Sequence, residues 1–309
     1  MAKRYRHETK PGRGPKVSVP RPAASSQNRN MSEAEEAAGR PDWGSSAGNA
    51  WVEVMDLTDT VYAPVERRLT EEVAAGPGRR ILDVGCGTGA TTVAIAERLG
   101  PDAECTGLDV SPPMVEAARD RAERAGVRVR FELADAETHD FGEGAFDQVV
   151  SRWGLMFFAD PVRAFANLRR AASGGRLRAI TWRSHTENPF MTVAEEAAAP
   201  LLEGFEPRRS DDAPGQFGLA DEAAVRGILR EAGWWDVALG PVDEPCSFPE
   251  SQLVRYFSGL GPLARHLEGM ASEEIPGGLV ETVRRAFDPY VTDGEVRFEV
   301  ACWMIEANA

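Results

Sequence analysis

Lysine is nearly absent from this chain. Only three occur among 309 residues, Lys3, Lys10 and Lys16, and everything after them uses arginine for positive charge, the Ala- and Arg-rich usage that a GC-rich genome writes. Cysteine is scarce as well. Cys86, Cys105, Cys246 and Cys302 lack the paired spacing of a metal knuckle or a disulfide scaffold, so they read as reduced core or loop thiols. The four histidines (His7, His139, His185, His266) are equally dispersed, which excludes a histidine-built metal centre. No apolar run approaches the roughly 20 residues of a membrane-spanning helix and no leader pattern opens the chain, so the expectation is a cytoplasmic protein with no membrane partner. Positive charge is short overall: 35 Lys and Arg against 49 Asp and Glu give a net charge of -14. Eight basic side chains against Glu8 make residues 1–30 +7, which leaves -21 for the rest, and a body that acidic repels nucleic acid.

What is present is ordinary for a soluble globular protein, 42% hydrophobic and 27% charged, and long enough for one large α/β domain or two small ones. Residues 1–30 are rich in Pro, Gly, Ser and basic side chains without periodicity, the composition of a disordered tail. Met31 begins a segment of different composition. Residues 31–76 read as helices, with Ala50 to Ala74 interrupted at Pro64.

Ile81 to Ala90, ILDVGCGTGA, organises the remainder. A buried strand runs into glycines at 85, 87 and 89, and TTVAIAERL then turns helical: strand, tight turn, helix. Amides at the start of that helix, with its dipole, attract an anion. The loop alone leaves three readings open: a pyrophosphate turn, since Gly85, Gly87 and Ala90 satisfy G-x-G-x-x-G/A; another anion; or a tight turn with no ligand.

Four blocks in order, Asp83 within the strand, TGLD ending at Asp109, LADAE at 133–137 and FDQVVSRWG at 146–154, resemble the class I S-adenosylmethionine-dependent methyltransferases. The run SRWGLMFFADPVRAFANLRRA is similar to a bacterial small-molecule subgroup related to the ubiquinone and menaquinone methyltransferases, over roughly residues 43–245. The resemblance implies an α/β, Rossmann-like, seven-stranded sheet, six strands parallel and one terminal strand antiparallel. Here those strands are Ile81–Val84, Glu104–Leu108, Val129–Leu133, Phe146–Ser151, Leu177–Trp182, Val237–Val242 and the alternating Val296–Glu306. Residues 31–76 become a lid with Trp51 or Tyr62 near the site, 77–183 the cofactor-binding core, and 184–309 the substrate cover, last strands and a helical insert.

S-adenosylmethionine is the implied cofactor. Its carboxylate would lie at Gly85, Gly87 and Gly89 above Asp83. Asp109 and Val110 would meet the ribose, Met114 one adenine face, and Asp135 and Ala136 the adenine edge; Ser151, Arg152 and Trp153 would stand beside the methionine end. Ser111, before Pro112 and Pro113, reads as a helix cap. His139 reads as a rim residue. His185, past the fifth strand, is the candidate general base, its rivals being a loop histidine or a substrate donor, with Glu187 and Arg152 as weaker contacts for a polar substrate. No metal is implied. The expected partner is a small-molecule methyl acceptor, with bacterial antibiotic tailoring as a setting. A peptide or protein acceptor, an NAD-dependent oxidoreductase and a catalytically silent cofactor-binding regulator stand as alternatives.

Overall fold

The structure, a computed structural model, describes residues 43–208, 215–268, 270–271 and 274–309. The expected tail at 1–30, the start of the lid and part of the expected cover at 209–214 lie outside the described residues.

Among the described residues two helices precede the sheet, α1 (Ser46–Glu53) and α2 (Met55–Ala75), and they part at Val54 rather than at Pro64. A proline inside a helix costs about 3 kcal/mol in its lost hydrogen bond and ring clash. Here Leu57, Val61, Val65, Leu69 and Val73, four residues apart, put one fully apolar stripe into the core, and that burial outweighs the proline.

The sheet begins with β1 (Arg80–Val84), followed by α3 (Ala90–Leu99), β2 (Glu104–Asp109), α4 (Pro112–Ala125), β3 (Val129–Leu133), β4 (Gln148–Arg152), α5 (Pro161–Ala171) and β5 (Arg176–Trp182). Its local signals are consistent with one another. Gly100 and Gly126 stop α3 and α4 at positive φ, and the Asp160 carboxylate caps α5 by accepting the Arg163 amide at 3.0 Å. Ile81 and Leu82 are fully buried because β1 lies between β2 and β4 with both sheet faces covered.

Next come α6 (Pro189–Ala198), α7 (Glu222–Glu231), β6 (Trp235–Pro249), α8 (Leu253–Gly259), α9 (Gly261–Glu268), α10 (Leu279–Ala286), β7 (Val291–Thr292) and β8 (Glu295–Asn308). The strand order is β3-β2-β1-β4-β5-β8-β6, with β8 antiparallel to both neighbours and the six numbered β1 to β6 running one way, as expected. Two features depart from expectation. An eighth strand, β7, pairs with β8 across Asp293–Gly294, both at positive φ, the two-residue hairpin turn that Asp-Gly favours. The last strands also outgrow their predicted spans: β6 and β8 pair from Pro249↔Glu295 down to Ala238↔Glu306, while β5 covers β8 only from Cys302. The outer half forms a ribbon beyond the sheet, from whose tip α8, α9 and α10 fold back, α10 against α6. Asn188 secures that junction by pairing through its side-chain amide with both the amide and the carbonyl of Ala301, at 2.8 and 2.9 Å.

Candidate active site

The C-terminal edges of β1, β2 and β4, with the loop after β3, open into one cavity of about 610 Å³, roofed by α1 and α2 and closed by α6, α8 and α9. This is where parallel sheets hold ligands. Gly85, Gly87, Asp109, Val110, Met114, Asp135, Ala136 and Arg152 line it, as do Trp51 and Tyr62 from the lid.

The glycine turn is tied to its neighbour strand. Gly85 and Cys86 donate to the Leu108 carbonyl at 2.8 and 3.1 Å, and Gly87 donates to Asp109 Oδ2 at 2.8 Å. Those three amides are therefore spent, which leaves Thr88 and the N-terminus of α3 to meet an anion. The glycines themselves are not equivalent. A Cβ on Gly85 would lie 2.6 Å from Gly154 Cα, and one on Gly89 would lie 2.8 Å from the Ala118 side chain. Gly85 thus permits the approach of the turn after β4, and Gly89, outside the cavity lining, permits packing of α4. At Gly87 (φ 53°) a Cβ would meet only Met114 Sδ, at 3.6 Å, so that glycine keeps cavity space open.

Asp109 is 8% exposed, and burial raises its carboxyl above the usual range even though the Gly87 and Ser111 amides both donate to it. Each oxygen keeps a lone pair for a hydroxyl donor on the cavity side. Beneath the turn Asp83 is fully buried. Its Oδ2 accepts from Thr92 Oγ1 at 2.6 Å, its Oδ1 has no partner among the described residues, and burial pushes its carboxyl up to about 7. Free amides at the start of α3, with the Asp109 carboxylate facing the same cavity from the neighbouring strand, suit a ligand that carries an anionic group at one end and hydroxyls at the other.

Four expected site residues lie elsewhere. Asp83 and Gly89 sit beneath the turn. Ser151 is a pin: its hydroxyl donates to the Val84 carbonyl at 2.7 Å and accepts the Gly154 amide at 3.1 Å. His185, the candidate base, does not line the cavity and leans on the Phe217 ring at 6.2 Å; Glu187 is drawn to Arg183 and Ser184. The loop after Trp182 runs toward β8 through Asn188, which carries both side chains away from the strand ends. Ser111 makes no side-chain cap either; its hydroxyl is buried under α1, where Gly48 leaves it room. His139 does not line the cavity and lies 3.4 Å from Glu132.

Sequence reasoning named Tyr62 and Trp153 but missed Trp182, Phe190, Tyr256, Phe257 and Phe287, which complete the aromatic wall. Trp153 holds φ at 64°, a conformation that costs a non-glycine residue about 1–3 kcal/mol and that neighbouring structure must enforce. Its amide donates to the Ile180 carbonyl at 2.8 Å, its ring stacks on Trp182 at 4.4 Å, and the Arg152 guanidinium lies 4.9 Å over it. Tyr62 stands edge-on to both tryptophans, and its hydroxyl meets that of Tyr256 at 3.0 Å. Glu195, 1% exposed, is paired with Arg208. A glutamate on the apolar face of PFMTVAEEAA was the one available signal for that pair. The four cysteines are buried and free, with burial raising each thiol, so none is poised as a nucleophile.

Residues 81–175 match the family model described as a methyltransferase domain. A demethylmenaquinone methyltransferase of Thermus thermophilus is 43% identical over 45% of this chain and 64% of its own length. An aklanonic acid methyltransferase of a Streptomyces species is 36% identical over 38% of this chain and 54% of its own. The chain thus spans between half and two thirds of these curated relatives. The solved structure of a putative methyltransferase from Bacillus halodurans shares the fold, with a TM-score of 0.51 at 18% identity over 79% of this chain and 97% of that one. Residues 81–175 thus match a methyltransferase domain, and the sheet order with its antiparallel β8 and the glycine turn facing Asp109 are in keeping with that likeness.

Proposed function

We propose that the protein methylates a small-molecule acceptor with S-adenosylmethionine as donor. The observation that carries this reading is the antiparallel β8 between β5 and β6, set beside a cavity in which Gly87 and Asp109 face each other. A dinucleotide-binding oxidoreductase builds that half of its sheet from parallel strands in the order 4-5-6. The relatives named for demethylmenaquinone and for aklanonic acid support a small-molecule acceptor.

In this reading Asp109 accepts the ribose hydroxyls, and Asp135, Ala136 and Met114 surround the adenine. The amides at Thr88 and Ala90 would receive the methionine carboxylate with Arg152 nearby, while Asp83, outside the cavity lining, would support the turn from beneath. The cofactor supplies an activated methyl on a sulfonium whose sulfur departs neutral, so the leaving group needs no acid. The protein's work is to hold the acceptor in line and keep water out. Positioning of that kind can supply on the order of 7–11 kcal/mol of the barrier. The lid helices and the wall of Trp153, Trp182 and Phe190 supply the dryness. Isothermal titration against S-adenosylmethionine and against NAD tests the assignment: heat with the former alone is expected, and binding of NAD in its place would overturn it. Release of S-adenosylhomocysteine in the presence of an acceptor separates an enzyme from a silent binder.

A further inference from the structure

We infer that the part of the cavity walled by α2, α6 and α8 is a chamber for a flat, uncharged aromatic acceptor, and that the Tyr62–Tyr256 hydroxyl pair is its polar anchor, bonded to an oxygen of that acceptor. The inference rests on the methyl-transfer reading above and adds the acceptor's chemistry to it.

The shape argument starts from the rings. Trp153 and Trp182 are nearly parallel, 4.4 Å apart at 10°, and Tyr62 meets them edge-on at 4.8 and 5.9 Å. Phe190, Phe257 and Phe287 continue the wall. Stacked and T-shaped rings offer faces and edges that complement another flat π-system, whereas a flexible aliphatic chain would gain from area alone. These rings come from six separate stretches, so the chamber is enclosed from several sides rather than being a single apolar face.

The charge argument concerns the pair at its margin. Glu195 accepts the Arg208 main-chain amide at 2.8 Å and Nε at 2.6 Å, and the Arg208 guanidinium also donates to Gln216. Glu195 and Arg208 thus offset each other, and Arg265, the third charge beside the pair, does not line the cavity.

The anchor follows from counting protons. Two phenolic hydroxyls hold two protons; one lies between the oxygens, 3.0 Å apart, and neither hydroxyl has another partner among the described residues. The accepting hydroxyl therefore keeps a proton with no acceptor while its ring is buried at the cavity wall: Tyr62 is 5% exposed and Tyr256 9%. A buried donor without an acceptor is unfavourable, and a ligand oxygen satisfies it. Because Tyr62 belongs to the lid helix and Tyr256 to the insert, an oxygen held there would also join lid to cover.

The test uses two probes of equal shape, 2-naphthol and naphthalene, titrated against protein saturated with S-adenosylhomocysteine and followed by quenching of tryptophan fluorescence. Wild type is expected to bind 2-naphthol about five- to tenfold more tightly than naphthalene, the share of one hydrogen bond. In Tyr256→Phe, and independently in Tyr62→Phe, both of which keep the ring, that preference should vanish with S-adenosylhomocysteine affinity unchanged. Equal affinity of wild type for the two probes, or a preference that survives in both variants while only their melting temperatures fall, would make the pair a staple and overturn the anchor. If neither probe binds to protein that does bind S-adenosylhomocysteine, the chamber assignment falls and the methyl-transfer reading stands. Absence of S-adenosylhomocysteine binding would overturn both.

Discussion

Asp109 does two jobs. It faces the cavity, and it accepts the buried amides of Gly87 and Ser111. Asp109→Ala should therefore weaken S-adenosylmethionine by about 1.5–3 kcal/mol, the loss of a charged acceptor, and lower the melting temperature as well, because two amides lose their partner. Asp109→Asn, which keeps one acceptor oxygen, should recover part of the stability; calorimetry and thermal scans read the two effects separately. Asp83 makes a pH prediction. Burial first, with the Asp109 charge adding to it, raises its carboxyl from 3.8 to about 7, against the opposing pull of the Thr92 hydroxyl and Arg152. A carboxyl raised on folding contributes its full stability below pH 3.8 and loses it as pH climbs through about 7, so the ligand-free protein should weaken over that window. Asp83→Asn should remove this dependence, and the difference between the two melting curves should widen from pH 4 to pH 7 and then level off. Parallel curves would mean that Asp83 is no more perturbed folded than unfolded.

At the scale of elements, the lid is fastened to the core at identifiable points. Arg121 of α4 donates to the Thr88 carbonyl at 2.8 Å and to the Asp59 carboxylate of α2 at 2.5 Å, joining the glycine turn to the lid. Arg255 of α8 binds Asp56 and the Glu53 carbonyl from the other side. Arg121→Ala should destabilise by about 1–2 kcal/mol, as expected when a partly buried charged hydrogen bond is lost, and should raise amide exchange in the first half of α2. Exchange that stays at the wild-type rate would show that the Val61 and Val65 stripe alone holds the helix. The same element shows where local rules mislead. Pro64 signals a break that tertiary burial overrides, whereas Asp293–Gly294 is a local hairpin signal that the structure follows, with β7 only two residues long.

For the whole molecule, the cavity divides between two parts of the chain. The side attributed to the cofactor is built within residues 83–152, and the aromatic side draws on α6, α8, α9 and the end of α10, most of them hung from the β6–β8 ribbon. Pro249 and Glu295 are paired neighbours across that ribbon, so residues 250–294, β7 included, can be replaced by an Asn-Gly turn with the β6–β8 pairing kept. The shortened protein should still bind S-adenosylmethionine in calorimetry and should lose 2-naphthol. Loss of cofactor binding with the fold intact by circular dichroism would show instead that the insert shapes both halves.

The sequence by itself determined the glycine turn and most of the residues around the side proposed for the cofactor. Its features are local: three glycines at alternate positions, a carboxylate ending the next strand, and a proline-capped helix, all within βαβ units whose geometry is set by backbone angles and a right-handed crossover. The antiparallel terminal strand was expected from the resemblance to the methyltransferases, and the order of the strands is read only from the tertiary structure. Only the tertiary structure decided the acceptor half. Trp182, Glu195, Arg208 and Tyr256 share no period and no motif with Tyr62 and Trp153, and Tyr256 reaches the others because a ribbon longer than its neighbours folds three helices back over the strand ends. That path also turned His185 away from the cavity toward Phe217, a displacement that no spacing along the chain could encode.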